Sequence, residues 1–270
     1  MKDLKKVKKA YTHSGCMHAD EIFGAALLKL INPDIEIIRV PYISDYDDGD
    51  DVIIFDIGGG HYDHHQQDNE VRENGVPYAS FGKLWRDFGC SLCSKRVVNI
   101  VDKIFVQYID STDNGYDNNT NLLSMAFRSF NPTWNERDTT SGDRRFFEAV
   151  KIAKTILKNI IDREISSEIA YQTVGQCIVK DSNYAILHTF MPFEKALIDY
   201  NNFHDNKIEF VLFPSNREGW NVQCVPKSIG GKDYYKLIHE NNYTTFVHKN
   251  GFLATCKTLI DALKLIEQLS

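Results

Sequence analysis

Residues 52–55, VIIF, form a continuous apolar run that ends at Asp56. Such a run, without alternation of polar and apolar residues, is typical of a strand buried on both faces of a parallel sheet. Strands are also predicted at residues 7–12 and 35–40, and helices at residues 18–31, 79–88 and 95–109. The alternation of strands and helices predicts an α/β lobe with a parallel sheet and helices on its faces.

A long helical pattern at residues 144–170 precedes a part of the chain in which the predicted strands are short and frequent. Short strands are predicted after it at residues 174–179, 184–188, 208–213, 221–225, 244–248 and 252–256, and helices at 192–200, 234–239 and 259–269. We therefore predict a second, smaller lobe of mixed α/β structure. Residues 113–143 show no clear periodicity and are predicted as a long loop, a kind of connection that is often functional.

The composition argues against some classes of protein. The net charge of −6 over 270 residues argues against a passive nucleic-acid-binding protein, but not against an enzyme that contacts phosphates through metal ions. Six thinly spread cysteines, no secretory signal and no apolar run near the roughly 18 residues that span a bilayer predict a cytoplasmic protein with reduced thiols. Cys90 and Cys93 form a C-x-x-C pair, but a structural zinc site needs a second pair.

Histidines and carboxylates cluster in three segments of the chain. These segments supply His13, His18, Asp20 and Glu21; then Asp56, Asp63, His64 and His65; then Asp110 and Asp113. Mixed imidazole and carboxylate ligands suit Mn²⁺, Zn²⁺ or Fe²⁺. They outnumber the ligands that one ion needs, so we expect a two-metal site with one bridging carboxylate.

Strand ends favour this interpretation. His13 and Asp56 each follow a predicted strand, and the carboxyl ends of parallel strands meet at one edge of the sheet. Asp56, at the tip of a central strand, is the best-placed bridging residue. Simpler interpretations stay open: His64 and His65 could be solvated in a polar turn, Asp20 and Glu21 could be a charged first helical turn, and Asp56 could be a turn residue.

Seven motifs in order resemble those of one family over nearly the whole chain. They are THSGCMHADE, FDIGGGHYDHHQ, YASFGKLWRDFG, IDSTDNG, NPTWNE, GWNVQCVP and FVHKNGF. Together they resemble the melanocyte-proliferating-gene (Myg) exonuclease family, within the DHH phosphoesterase superfamily. The resemblance implies a DHH-type metal-binding catalytic domain at residues 1–170, a substrate-binding domain at residues 171–270, and an active site in the cleft between them.

The resemblance also implies a chemistry and a set of ligands. It implies two divalent ions, Mn²⁺ foremost with Mg²⁺, Zn²⁺ or Fe²⁺ as alternatives, and hydrolysis of a phosphodiester by a 3′–5′ exonuclease that acts on RNA or short oligonucleotides. The implied ligands are His13, His18 and Asp56 for one ion, and Asp20, Asp56, His64 and Asp113 for the other. The wider superfamily usually has an aspartate where His18 stands. Asp113 matches the motif better than Asp110.

Catalytic and substrate-binding roles are expected of further residues. A metal-bridging hydroxide would attack phosphorus in line, with His65 facing the phosphate or acting as general acid and Asp63 orienting a histidine. Residues expected to contact substrate are Arg128, Arg217, Gln223, His248 and Gly251, the last through backbone N–H groups. Trp134 is expected either to stack on a base or to pack in the core or at the interface between the two lobes.

Other functions remain open at this point. The same metal centre could hydrolyse a phosphomonoester, pyrophosphate or an amide, and the scaffold could serve a non-catalytic metal-binding protein. A homo-oligomer is possible.

Overall fold

The computed structural model describes residues 2–43, 49–66, 70–116, 122–136 and 141–269. The chain divides into two compact units, Met1–Ile165 and Ser166–Ser270. Residues 117–121 and 137–140 of the predicted long loop lie outside the described residues.

A three-stranded parallel sheet lies at the centre of the first unit. Its strands are β1 (Lys9–His13), β2 (Glu36–Val40) and β3 (Val52–Ile54), in the order β2-β1-β3. β3 corresponds to the apolar run, and Ile53 and Ile54 are buried as expected for a strand between covering layers. The prediction that this strand is central is wrong, because among the described residues β1 is the middle strand and β3 lies at one edge. The predicted parallel α/β arrangement is confirmed.

In the described part of this unit, five short helices share one hydrophobic core with the sheet. They are α1 (Ala19–Ile31), α2 (Ser80–Phe88), α3 (Lys95–Val101), α4 (Gln107–Asp113) and α5 (Leu122–Arg128), with a π-helical turn at Asp102–Val106 between α3 and α4. The prediction of an unstructured loop is wrong at α5. Phe127 of this helix is fully buried and meets Phe23 edge-on at a centroid distance of 5.0 Å, so tertiary packing stabilises a helix that local periodicity does not reveal.

Helix α6 (Ser141–Gln176) is longer than predicted and continues from the first unit into the second. The strand predicted at residues 174–179 is therefore wrong in its first half, where β-branched Val174 is buried on the helix; Ile178 makes only an isolated bridge to Ala185. None of the helices in the described part of the chain has an apolar stretch long enough to cross a membrane.

The second unit is built on a five-stranded mixed sheet. Its strands are β4 (Tyr184–Ile186), β5 (Phe210–Pro214), β6 (Trp220–Cys224), β7 (Thr244–Val247) and β8 (Leu253–Cys256), in the order β4-β5-β6-β8-β7. Only β4 and β5 are parallel. The helices α7 (Glu194–Phe203) and α8 (Leu259–Leu269) complete the predicted mixed α/β composition.

The helix predicted at residues 234–239 is wrong. Tyr234 bridges Pro226, and the Ile238 amide donates to the Gly251 carbonyl at 2.7 Å. The backbone groups of this segment pair with neighbouring chain rather than with each other, which excludes a helix.

Candidate metal centre

The ends of β1 and β3 bring two predicted ligands together. Tyr11 and Ile54 are register partners, and two residues later each strand reaches His13 and Asp56. His13 Nε2 lies 3.1 Å from Asp56 Oδ2. The prediction that these residues meet at one edge of the sheet is confirmed.

Asp56 occupies a backbone conformation that few residues with a side chain adopt. Its φ is 57°, in the left-handed region, which costs on the order of 1–3 kcal/mol and persists only where surrounding contacts impose it. Here the flanking backbone imposes it: the Phe55 amide donates to Tyr11 and the Asp56 amide donates to Tyr62, both at 3.0 Å. The strained turn aims the Asp56 carboxylate at the sheet edge.

The glycine triplet that follows returns the chain to the DHH motif. Gly58 and Gly59 have φ of 87° and 74°, which a residue with a Cβ adopts only under strain. The Gly59 amide donates to Asp63 Oδ2 at 2.7 Å. This loop therefore fixes Asp63 directly.

His64 lies among three carboxylates. Its Nε2 is 3.1 Å from Asp56 Oδ1, 3.0 Å from Asp113 Oδ2 and 3.9 Å from Asp20 Oδ2. Despite these short distances, His64 Nε2 and Asp56 Oδ1 are buried without a hydrogen-bond partner, so neither contact has the direction of a hydrogen bond. Buried polar atoms without partners are rare in folded proteins, and a shared cation would satisfy both atoms at once. The residues present therefore fit a divalent metal ion.

A second group of donor atoms surrounds His13. His13, His18 and Glu21 each offer a ligand atom within 4.8 Å of the others. Glu21 is fully buried, with a carboxylate oxygen 3.5 Å from His13 Nε2. The Glu21 carboxylate also accepts the His18 amide hydrogen at 2.8 Å, which caps α1 and holds both residues in place.

Glu21 is the donor that the ligand set implied by the resemblance leaves out. It belongs to the first histidine and carboxylate segment of the chain, where a charged helical turn is the simpler interpretation. It lies three residues after His18 and therefore on the same face of the helix. That i, i+3 relation to a candidate ligand is the signal that could have identified it.

Asp20 accepts hydrogen bonds from the start of α2 and also lies in the candidate metal centre. It is fully buried, and its carboxylate accepts the amide hydrogens of Ser80 at 3.0 Å and Phe81 at 2.8 Å, at the start of α2. Burial excludes the simpler interpretation of Asp20 as a solvated first-turn charge. With His64 and Asp113 it forms a further group of potential ligands.

Asp113 and Asp110 lie in different environments. Asp113 ends α4 beside His64, whereas Asp110, one turn earlier, is fully buried and paired with Arg72 at 2.6 Å. Asp110 also accepts the Gly82 amide hydrogen at 3.1 Å. Asp113 is thus available to a metal ion and Asp110 is committed to the core. The assignment of particular residues to particular ions stays a prediction.

His65 and Asp63 form a pair beside the donor groups. Asp63 Oδ1 lies 2.7 Å from His65 Nδ1, the contact that an orienting role requires. The hydrogen bond to Asp63 raises the pKa of His65, and hydrogen bonds from His65 and Gly59 lower the pKa of Asp63 although burial opposes this. The His65 side chain is 62% exposed, so it is accessible to a ligand.

Two further polar residues, not predicted as site residues, contact the Asp63–His64–His65 segment. The buried Lys83 amine donates to the Asp63 carbonyl at 2.7 Å. Asn114 Oδ1 lies 3.3 Å from His64 Nδ1, while its amide nitrogen donates to the Asp110 carbonyl at 2.9 Å. Asn114 therefore links the orientation of His64 to the end of α4.

Two of the histidines and two of the carboxylates in the centre have raised pKa values. Burial lowers the pKa of a histidine, but contacts with carboxylates outweigh it and raise the pKa of His13 to about 9 and of His64 to about 11. Burial and the charge of Asp56 raise the pKa of Glu21 to about 8, and burial with Asp56 and Asp113 holds the pKa of Asp20 well above its usual range. A divalent ion that binds here must displace some of these protons.

Comparison with known proteins gives the family. A family model for MYG1 exonucleases, described as "Uncharacterised protein family (UPF0160)", matches residues 9–241. The chain belongs to this MYG1 family. Similar relatives include the MYG1 exonuclease of Mus musculus, 27% identical over 80% of this chain and 68% of the relative. They also include the MYG1 protein of Schizosaccharomyces pombe, 23% identical over 97% of both chains. No solved structure matches the chain.

The expected family resemblance is confirmed, and placement within the DHH superfamily stays a prediction. Within the motif FDIGGGHYDHHQ, His61 takes no part in the donor groups of the described residues. Its Nε2 lies 2.8 Å from Asp87, and the side chain is half exposed.

A cavity of about 690 Å³ in the first unit adjoins the centre. His18, His64, His65 and Asp113 line it, and Arg128 of α5 lines it too, so the cationic residue predicted to contact phosphate shares a cavity with the candidate ligands. Trp134 is 97% exposed, so its interpretation as a core residue is wrong.

The substrate-binding residues predicted in the second unit lie on β6 and in two turns. Gln223 lies on β6, Arg217 is exposed between β5 and β6, and His248 and Gly251 lie between β7 and β8. Gly251 has a φ of 71°, and its amide donates to the His248 carbonyl at 2.7 Å. The amide expected to face an anion is instead used within the turn, which corrects that prediction. His248 accepts the Asn250 amide hydrogen at Nδ1.

Proposed function

We propose that this chain is a phosphodiester hydrolase that depends on two divalent metal ions, and that it acts as a 3′–5′ exonuclease on RNA or short oligonucleotides. One observation carries the proposal. The two oxygens of Asp56 face different histidines, Oδ2 toward His13 and Oδ1 toward His64, each at 3.1 Å. A single carboxylate between two groups of imidazole and carboxylate donors is the arrangement that a two-metal hydrolase needs. Relatives named MYG1 exonuclease support a nuclease over other hydrolases.

The donor set indicates how ions would be held. His13, His18 and Glu21 would serve one side of Asp56, and Asp20, His64 and Asp113 the other. When bound, the ions would activate a water molecule and neutralise charge that develops on the phosphate oxygens. Mn²⁺ suits this mixture of carboxylates and imidazoles, and Mg²⁺, Zn²⁺ and Fe²⁺ are the alternatives to test.

His65 has a separate role in this proposal. Its Nδ1 is held by Asp63, so Nε2 is the nitrogen left for a substrate. The hydrogen bond to Asp63 raises the pKa of His65 and so favours the protonated ring. A protonated ring can donate a hydrogen bond to a phosphate oxygen or a proton to the leaving group.

Substrate contacts beyond the centre are proposed for Arg128, Arg217, Gln223 and His248. Arg217 is exposed, and no ion pair of its side chain is seen among the described residues. If Arg217 binds substrate phosphate, Arg217→Ala should raise KM for an oligonucleotide and leave the rate with an uncharged amide substrate unaffected.

The proposal is tested with purified protein, Mn²⁺ and end-labelled RNA, DNA and dinucleotides, beside pyrophosphate, a phosphomonoester and an amide. We expect hydrolysis of phosphodiesters, release of mononucleotides from the 3′ end, and loss of activity with a chelator. Asp56→Asn should lower kcat/KM at least 10³-fold because neither donor group then has its shared carboxylate.

A matched pair of histidine variants controls for nonspecific effects. His64→Asn should abolish activity, whereas His61→Asn, in the same motif but paired with Asp87, should retain it. Failure of every phosphate substrate, or full activity of Asp56→Asn, would overturn the proposal.

A further inference from the structure

The cavity beside the candidate metal centre has two chemically different surfaces. One is polar and contains His18, His64, His65 and Asp113. The other is apolar and contains Ala19, Ile109 and Met125. A site for a small inorganic anion would need only the first surface. An apolar wall beside ligands for a phosphate-binding centre indicates a substrate with an apolar part next to its phosphate.

Helix α5 supplies two residues of the cavity one turn apart. Met125 and Arg128 are related by i, i+3, so they lie on the same face of the helix and both line the cavity. Met125 is 55% exposed, although methionine is usually buried. Arg128 is also exposed, and no ion pair of its guanidinium is seen among the described residues.

The apolar residues of the cavity differ in exposure. Ile109 of α4 is 1% exposed and Ala19 of α1 is 4% exposed, so both are held by packing, whereas Met125 is half exposed. A methionine thioether is polarizable and contacts aromatic rings favourably, without a demand for one ring shape. Nucleobases of every kind offer such a face.

We propose that Met125, against Ile109, forms a subsite for the terminal nucleobase of the strand, while Arg128 contacts the adjacent phosphate. This inference rests on the proposed function and names its substrate class: a nucleotide with its base, in preference to pyrophosphate or a bare phosphate ester. The cavity, about 690 Å³, lies within the range of sites that hold small organic ligands. Contact through a π-face makes the subsite tolerant of base identity.

The test compares two short RNA strands that differ only in the terminal base. One carries a normal terminal nucleoside and the other an abasic residue at the same position, with separate arms for the 3′ and the 5′ end. We expect the wild-type protein to favour the normal strand by up to about ten-fold in kcat/KM, through KM, because contact of a methionine sulfur with an aromatic ring contributes up to about that factor in affinity. In Met125→Ala this preference should fall to less than about two-fold, and Met125→Leu should keep most of it.

Leu122→Ala is the matched control. Leu122 lies on the same helix and is 73% exposed, but it does not line the cavity. The control should keep the wild-type preference, and thermal unfolding should show that both alanine variants fold. A wild-type protein that cleaves both strands equally, or a Met125→Ala variant with an undiminished preference, would overturn the subsite.

Binding separates this inference from the proposed function. Fluorescence anisotropy of the same two strands in the presence of a chelator measures the subsite without hydrolysis. Absence of cleavage with a retained preference in binding would count against the hydrolase alone, whereas cleavage without any preference would count against the subsite alone.

Discussion

Gly82 occupies a position where a single methyl group should disturb the core beneath the centre. Its amide donates to Asp110 Oδ1 at 3.1 Å. A Cβ built on Gly82 would lie 1.8 Å from Asp110 Oδ2 and 2.8 Å from Arg72 Nη2. Neither atom is the free end of a flexible side chain, because Asp110 and Arg72 are paired with each other at 2.6 Å and both are buried.

Gly82→Ala changes the free energy of unfolding in two opposite ways: it reduces the loss of backbone entropy on folding, and it introduces a steric clash in the core. In an unobstructed helix the change stabilises by up to about 1 kcal/mol, because glycine loses more backbone entropy on folding. Overpacking of a core costs about 1–3 kcal/mol, and a broken buried ion pair costs about 3–5 kcal/mol. Arg72 retains Asp102 at 2.7 Å, so only part of the ion-pair loss applies. We expect the free energy of unfolding to fall by about 2–4 kcal/mol.

Urea unfolding followed by tryptophan fluorescence and far-UV circular dichroism measures this change. Gly175→Ala is the matched control, since Gly175 lies in α6 and a Cβ there meets nothing within 4 Å. The control should leave stability unchanged or raise it by up to about 1 kcal/mol. If Gly82→Ala behaves like the control, the reasoning about this buried network is refuted.

A double mutant isolates the clash as the cause. In Gly82→Ala/Asp110→Ala the obstructing carboxylate is absent, so the loss of stability should be smaller than the sum of the two single losses. Gly82→Ala should also weaken metal binding, since Asp113 lies one turn beyond Asp110 and 3.0 Å from His64. Additive losses together with unchanged metal affinity would contradict the coupling.

Two further predictions concern the metal centre. Asn114→Ala should lower the affinity for Mn²⁺ about 10–100-fold with little change in stability, because Asn114 orients His64 through Nδ1; titration calorimetry measures this, and an unchanged affinity would contradict the orienting role. Mn²⁺ binding at pH 7.5 should release at least about two protons, since the pKa values of His13 and His64 are raised to about 9 and about 11 and both rings must lose their protons to become ligands. The raised pKa values of Glu21 and Asp20 add to this release. Affinity should therefore rise with pH between 6 and 9, and calorimetry in buffers of different ionisation enthalpy should show the release; binding enthalpies independent of buffer would count against it.

The sequence by itself determined the parallel sheet and the meeting of His13 with Asp56. Both follow from local information: an unbroken apolar run predicts a buried strand, and ligands that directly follow parallel strands must lie at one edge. The regular helices were predictable for a similar reason, because their apolar residues recur with the helical period.

Only the tertiary structure decided between residues with the same local signal. Asp110 and Asp113 both lie near the end of a helix, and a partner 38 positions away in the chain, Arg72, commits Asp110 to the core. Helix α5 depends on the burial of Phe127 against Phe23. Residues 234–239 are not helical because their backbone pairs with other segments of the chain. Periodicity reports which face of a segment is apolar, but the partner of a buried charge or of an unpaired amide lies far along the chain and becomes known only when the chain is folded.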